Sequence, residues 1–256
     1  MAESNAHSAD EYLMTIYLLA YPVGEYVPSR RGPQPTAPAR IADQLGVSRA
    51  SVGEMLNRLE AQGHVRRGEK KEAILTMQGR DVAMATVRRH RVVERLLTDV
   101  MGYSGAEAHE KADGLDEGFD DEMIERLFVK LDRPERCPHG YPIDPDHELR
   151  ENPTLKALEN VPAGTRVEVV RLAEHDGKLL NWFYDEHLEP GTLLDVVSID
   201  NDGTVTATRV ENGQTQIVPG THANGLFVRK DGTPVVPADP SCWAEQQGLV
   251  RRGPAE

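Results

Sequence analysis

Two cysteines in 256 residues, Cys137 and Cys242, are too few for a disulfide framework, so a reducing compartment is the expected setting. No apolar run approaches the ~20 residues that a membrane helix needs. The opening stretch MAESNAHSADEYLM lacks the basic-then-apolar layout of a secretory leader. These absences lead to the expectation of a soluble, cytoplasmic protein with no membrane partner. Positive charge is also short: the formal net charge is −13, which at first argues against nucleic acid. Its distribution reverses that argument. Between Arg30 and Arg80 ten Lys/Arg face five Asp/Glu, a local +5 that leaves −18 for the rest of the chain. A basic module is attached to a strongly acidic remainder, and the two parts are expected to bind different things.

The basic module has a recognisable order. Residues 9–21 place Leu13, Ile16, Tyr17 and Ala20 on one helical stripe, and 22–38, rich in Pro and Gly, reads as a long loop. A short helix then ends near Gly46, and Ser48 caps a second helix in which Val52, Leu56 and Leu59 face inward until Gly63 stops it. The segment VRRGEKKEAILTM reads as two strands joined by a charged turn. Helix, turn, helix and basic hairpin is the order of a winged helix-turn-helix, whose second helix enters the major groove while the wing grips phosphates. On that geometry Ser48, Arg49, Ser51 and Glu54 present themselves to base edges, and Arg66, Arg67, Lys70 and Lys71 lie in the wing.

The acidic remainder begins with a long helix over 77–101, and a second is expected from about Gly105 to Leu131. His90 and Glu94, four apart, share a face of the first. His109, Asp113, Asp116 and Glu117 fall at i, i+4, i+7 and i+8 of the second, again one stripe. Such a set repels itself if buried, and a divalent cation removes that repulsion. An exposed acidic face explains the same spacing equally well. Periodicity fades over 132–160, which carries Pro134, Pro138, Pro142, Pro145 and Pro153 and reads as a linker. From Gly164 short strands are expected at TRVEVVRLA, KLLNWFYDEHL, TLLDVVSID, TVTATRV and QTQIVPG, enough for a small SH3-like barrel. The polar tail beyond it is expected to be poorly ordered.

Taken in order, ADEYLMTIY, the helix-turn-helix, RRHRVVERLL, HEKADGLDEGFDDEMIERL and CPHGYPI resemble the DtxR/MntR family of metalloregulators. The resemblance covers roughly residues 8–145, and the strands resemble the FeoA-type, SH3-like domain of longer members. It implies a mainly α protein with a C-terminal all-β domain. The winged helix would occupy 1–76, a helical metal-binding and dimerisation domain 77–145, a linker 146–163, the barrel 164–230 and the tail 231–256. It further implies a homodimer that binds double-stranded operator DNA, with no enzymatic activity and no small-molecule substrate. The positions matching the family's effector site are Glu11, Asp113, Asp116 and Glu117, with His90 near or in the cluster. A second site would use His90, Glu94 and His109, with Cys137, His139 and an acid from the barrel, Asp176, whose neighbour His175 could replace it. Carboxylates at Glu11 and Asp113 favour Mn(II), then Fe(II), with other divalent transition metals able to bind in vitro. The chain departs from the family in having Glu117 where members usually have His. Two rival readings are a metal-independent winged-helix regulator whose barrel senses a small molecule or peptide, and a metal-dependent hydrolase. The latter lacks a supporting motif such as HExxH.

Overall fold

A computed structural model describes residues 7–20, 36–145, 155–174 and 177–233 of the chain. These divide into two compact units, the first including residues 29–88 and the second 89–256. The loop 22–38 before Thr36, the tail beyond 233, and both His175 and Asp176 lie outside the described residues.

In the first unit, helix α1 (Ala9–Ala20) opens with a reciprocal cap. The Ser8 hydroxyl accepts from the Glu11 backbone N–H at 3.2 Å, and Glu11 Oε2 accepts from Ser8 N–H at 2.7 Å. Helix α2 (Pro38–Leu45) starts on a proline and stops at Gly46, whose φ of 63° needs no Cβ. Helix α3 (Arg49–Ala61) is capped by Ser48, which accepts from Ser51 N–H. Strands β1 (Val65–Arg67) and β2 (Ala73–Leu75) pair antiparallel, with Arg66 opposite Ile74. One core of Leu13, Ile16, Tyr17, Ile41, Val52, Leu56, Leu59, Val65 and Ala73 holds these elements together. A winged helix-turn-helix is thus present.

Helix α4 (Met77–Asp99) contributes to both units. The second expected helix, from Gly105 to Leu131, is not one helix. Helix α5 (Gly105–Ala112) ends before Asp113, and Gly114 at φ 78° turns the chain away. A 3-10 turn follows at Asp116–Gly118, and α6 (Asp121–Lys130) restarts on the Asp120 cap. The i, i+4, i+7, i+8 stripe therefore breaks after His109, because a left-handed glycine and a new N-cap interrupt the period. The stretch 132–145 is no linker either. Cys137 N–H donates to Tyr141 O at 2.8 Å, Ile143 N–H to Glu135 O at 2.9 Å, and Leu172 N–H to His139 O at 3.0 Å. Its alternate side chains Cys137, Tyr141 and Ile143 are buried with Val92, Val93, Leu97, Ala108, Ala112 and Ile124. Val92, Leu97 and Ile124 are thus core of this chain.

The sheet is six-stranded and antiparallel, built from β3 (Lys156–Ala157), β4 (Arg166–Leu172), β5 (Leu193–Ile199), β6 (Val205–Arg209), β7 (Thr215–Val218) and β8 (Leu226–Lys230) in the order β3-β8-β4-β5-β6-β7. KLLNWFYDEHL, rich in aromatic residues that favour strands, is instead helix α7 (Gly177–Asp185). Leu180 and Phe183 meet the core three residues apart, a helical period that outweighs propensity. Ala106 of α5 belongs to the sheet's own core cluster, so helices and sheet form one packed body in the second unit. Among the described residues no helix is long and apolar enough to cross a membrane.

Gly140 closes the tight loop after His139 at φ 86°, and a Cβ there would collide with the Val170 carbonyl. Gly140→Ala is therefore expected to cost about 3 kcal/mol or more, from backbone strain plus overpacking. Gly164→Ala, at φ 81° with open space around it, is expected to cost only about 1 kcal/mol. Thermal unfolding followed by circular dichroism checks the pair; equal midpoints would remove the steric account of the loop.

Candidate metal centre and nucleic-acid interface

Helix α4 supplies the first donors. His90 and Glu94 are one turn apart and both buried, with His90 Nε2 3.1 Å from Glu94 Oε1. From α5, His109 Nδ1 reaches the same oxygen at 2.7 Å and lies 3.3 Å from His90 Nε2. From the loop after α6, His139 Nδ1 comes within 3.4 Å of Glu94 Oε1, and Cys137 Sγ lies 3.8 Å from that nitrogen. Among the described residues two sets of three have ligand atoms close enough to share an ion: His90, Glu94 and His109; and Glu94, Cys137 and His139. Glu94 is common to both.

The hydrogen bonds decide which atoms face the cluster. His139 Nε2 lies 3.1 Å from Gly105 O, and only an N–H can bond a carbonyl. In the neutral ring Nδ1 then carries the lone pair, aimed at Glu94 and at Glu174 Oε2, 3.8 Å away. Three imidazole nitrogens thus crowd one oxygen of Glu94. Its other oxygen, Oε2, is buried and has no hydrogen-bond partner among the described residues. An orphaned anionic oxygen in a dry site is costly, and a cation seated among these donors removes the cost. The donor set fits a divalent metal.

Electrostatics agree. Burial works to raise the Glu94 carboxyl, but the imidazoles of His139 and His90, with a hydrogen bond from His109, hold it well below the usual carboxylate range. Burial pulls His90 down, and Glu94 and Asp116 override it, so the ring is raised well above its ordinary value. His109 is raised by Glu94 against burial in the same way. Burial, then Glu94 and Glu174, push the Cys137 thiol well up, so as a ligand it would have to give up its proton to a bound cation.

The remaining candidates separate. Asp116, buried on the 3-10 turn, places Oδ2 3.3 Å from His90 Nδ1, and the largely exposed Asp113 places Oδ1 3.8 Å from it. His90 therefore bridges the two acidic groups. Glu117, one residue beyond Asp116, is exposed. Glu11 is in the first unit, where its carboxylate completes the α1 cap and lies 3.2 Å from His7 Nδ1. Asp176 is outside the described residues, and Glu174, two positions earlier and buried, is the sheet-side acid that comes close to His139. Sequence reasoning passes over Glu174 because it ends the strand at Ala173 and assigns the following residues to an exposed turn. Arg91 and Tyr184 are missed too. Tyr184 on α7 donates to Pro138 O at 3.1 Å, and its ring lies 6.0 Å from that of His139.

In the first unit Ser48, Arg49, Ser51 and Glu54 line the exposed start of α3. The Ser48 hydroxyl, 3.0 Å from Ser51 N and 2.8 Å from Ser51 Oγ, serves the cap as well as the surface. Arg66 and Lys70 are exposed on the hairpin and Arg67 is half-buried; Arg58, in the last turn of α3, adds a further exposed cation.

Comparison with known proteins places these two regions. The N-terminal DNA binding domain of iron dependent repressors matches residues 6–73, and their metal binding and dimerisation domain matches residues 76–145. The chain is 31% identical over 229 residues to the iron-dependent repressor IdeR of Mycobacterium tuberculosis, covering 85% of this chain and 90% of that one. It is 31% identical over 213 residues to the diphtheria toxin repressor of Corynebacterium glutamicum, covering 78% and 87%. A solved manganese-dependent transcriptional repressor in complex with manganese shares its fold at a TM-score of 0.75 and 26% identity, over 87% of this chain and 100% of that one. A DNA-binding winged helix followed by a carboxylate–histidine cluster on the matched helices leads to one conclusion: the chain belongs to the DtxR/MntR family of metal-dependent repressors.

Proposed function

We propose that this repressor binds operator DNA as a homodimer, through α3 and the β1–β2 hairpin, when Mn(II) or Fe(II) occupies the cluster around Glu94. The observation that carries the metal reading is Glu94 itself, with three ring nitrogens on one oxygen and the other oxygen buried without a partner. His90, Glu94 and His109 would hold an ion, as would Glu94, Cys137 and His139, with Glu174 nearby taking the part for which the sequence nominates Asp176. Asp113 and Asp116 adjoin through His90, and Glu11 is assigned to the effector set by family resemblance alone. When bound, the metal supplies the positive charge that this donor set otherwise draws from protonated imidazoles. The carboxylates at Glu11 and Asp113 favour Mn(II) first and Fe(II) next, and the imidazoles around Glu94 suit Fe(II) as well. The relatives point both ways, one being iron-dependent and another manganese-dependent by name.

The homodimer reading has its own support. Val100, Met101, Met123 and Val129 are exposed apolar side chains on or next to α4 and α6, at 43% or more of full accessibility. A second copy of the chain would cover such side chains. Two recognition helices in successive major grooves must lie about 34 Å apart, which a two-fold dimer provides. A metal that prefers the DNA-competent state raises DNA affinity, and DNA raises metal affinity by the same factor. The role is regulatory, with metal uptake genes as the proposed targets.

Fluorescence anisotropy on promoter DNA tests this reading. Tight binding is expected with Mn(II) and not with chelator, and Glu94→Gln is expected to weaken the metal-dependent binding by more than about tenfold. Equal binding in metal and chelator would remove the metal switch. Separately, Arg66→Ala is expected to weaken binding to all sequences alike and to reduce the salt slope by about one. A loss confined to one operator base would instead make Arg66 a base reader.

A further inference from the structure

Arg91 is buried to 1% exposure, yet it is not part of the donor cluster. It follows His90 on α4, so its side chain leaves the helix about 100° away from the histidine. There it touches two segments that the cluster depends on, the loop after α6 and the residues just beyond β4. Its Nη1 donates to Pro142 O at 2.9 Å, in the loop that carries Cys137 and His139. Its guanidinium carbon sits 4.9 Å from the centre of the Tyr141 ring, which also faces the buried Arg171 of β4 at 5.2 Å. Its Nη2 lies 3.6 Å from Glu174 Oε1, just beyond the end of β4. The two oxygens of Glu174 are thereby divided. Oε1 faces Arg91, and Oε2 faces His139 Nδ1 at 3.8 Å.

A fully buried guanidinium is a poor choice for stability alone, since a methionine of similar reach packs without desolvating a charge. It is a good choice for aiming a carboxylate, because the planar fork fixes the direction of its partner. We propose that Arg91 is a positioning residue for the metal centre: by holding Oε1 of Glu174 it turns Oε2 toward the cluster, so that the sheet delivers a pre-aimed ligand to the helices. The inference rests on the metal reading above and adds the outer partner that makes Glu174 effective. Removal of an outer partner of this kind typically weakens metal binding by about 10–100-fold.

The test is a double-mutant cycle read by calorimetric titration of the metal-free protein with Mn(II), without DNA. Arg91→Met is expected to weaken Mn(II) binding by about tenfold or more. In a Glu174→Gln background the same substitution is expected to change it by less than about twofold, because the carboxylate it serves is gone. Arg91→Lys keeps a cation for Glu174 without the fork, and is expected to recover part of the affinity lost in Arg91→Met. If Arg91→Met fails to fold, the cycle is run with Arg91→Lys, whose smaller loss must likewise vanish beside Glu174→Gln. Equal weakening in both backgrounds would overturn the proposal, as would wild-type affinity in Arg91→Met. Absence of Mn(II) binding in the unaltered protein would instead overturn the metal reading itself.

Discussion

One carboxylate oxygen organises the second unit. Glu94 Oε1 receives nitrogens from His90, His109 and His139, which come from α4, α5 and the loop after α6. A buried anion demands compensation, and every one of these segments is drawn toward it to give some. The compensation remains incomplete, because three rings compete for one oxygen while Oε2 has no partner among the described residues. A largely buried site, rich in donors and still unsatisfied, is one that a cation would complete. Helix breaks and loop constraints that look irregular in isolation follow from that requirement. The chain leaves helical geometry after Ala112 and re-enters it at Asp121, and the intervening turn is what buries Asp116 beside His90.

The sheet takes part in this site and is not a separate appendage. Gly105, the first residue of α5, accepts the His139 ring N–H on its carbonyl, and a side chain on it would collide with the Tyr184 hydroxyl of α7. Ala106 lies in the sheet's core, and Leu172 N–H holds the His139 carbonyl. Arg91 and Glu174 add a charged connection across the same boundary. Any ion held by this cluster would therefore bear on helices and sheet together.

Much of this was legible in the sequence, for identifiable reasons. The winged helix could be read because caps, stops and a basic hairpin succeed one another within about 40 residues, all governed by local rules. The pairing of His90 with Glu94 could be read because a one-turn spacing inside a long helix is robust. The stripe from His109 to Glu117 could not, because Gly114 was passed over as a stop and Asp120 as a cap. Helix α7 was hidden by Trp182, Phe183 and Tyr184, whose strand preference is overruled by the core contacts of Leu180 and Phe183. Glu174 and Arg91 belong to contacts between segments about 80 residues apart, and no periodicity carries that information. Prolines made 132–145 look like a linker, although its backbone groups are bonded to one another and to β4.

The central claim is that the cluster centred on Glu94 is a metal centre, and anomalous diffraction from crystals of the Mn(II)-loaded protein tests it most directly. The account predicts an anomalous peak at coordination distance, about 2.0–2.4 Å, from a Glu94 oxygen and from at least two of the rings of His90, His109 and His139. A peak located only elsewhere, with the three ring nitrogens still crowded on Glu94 Oε1, would contradict it.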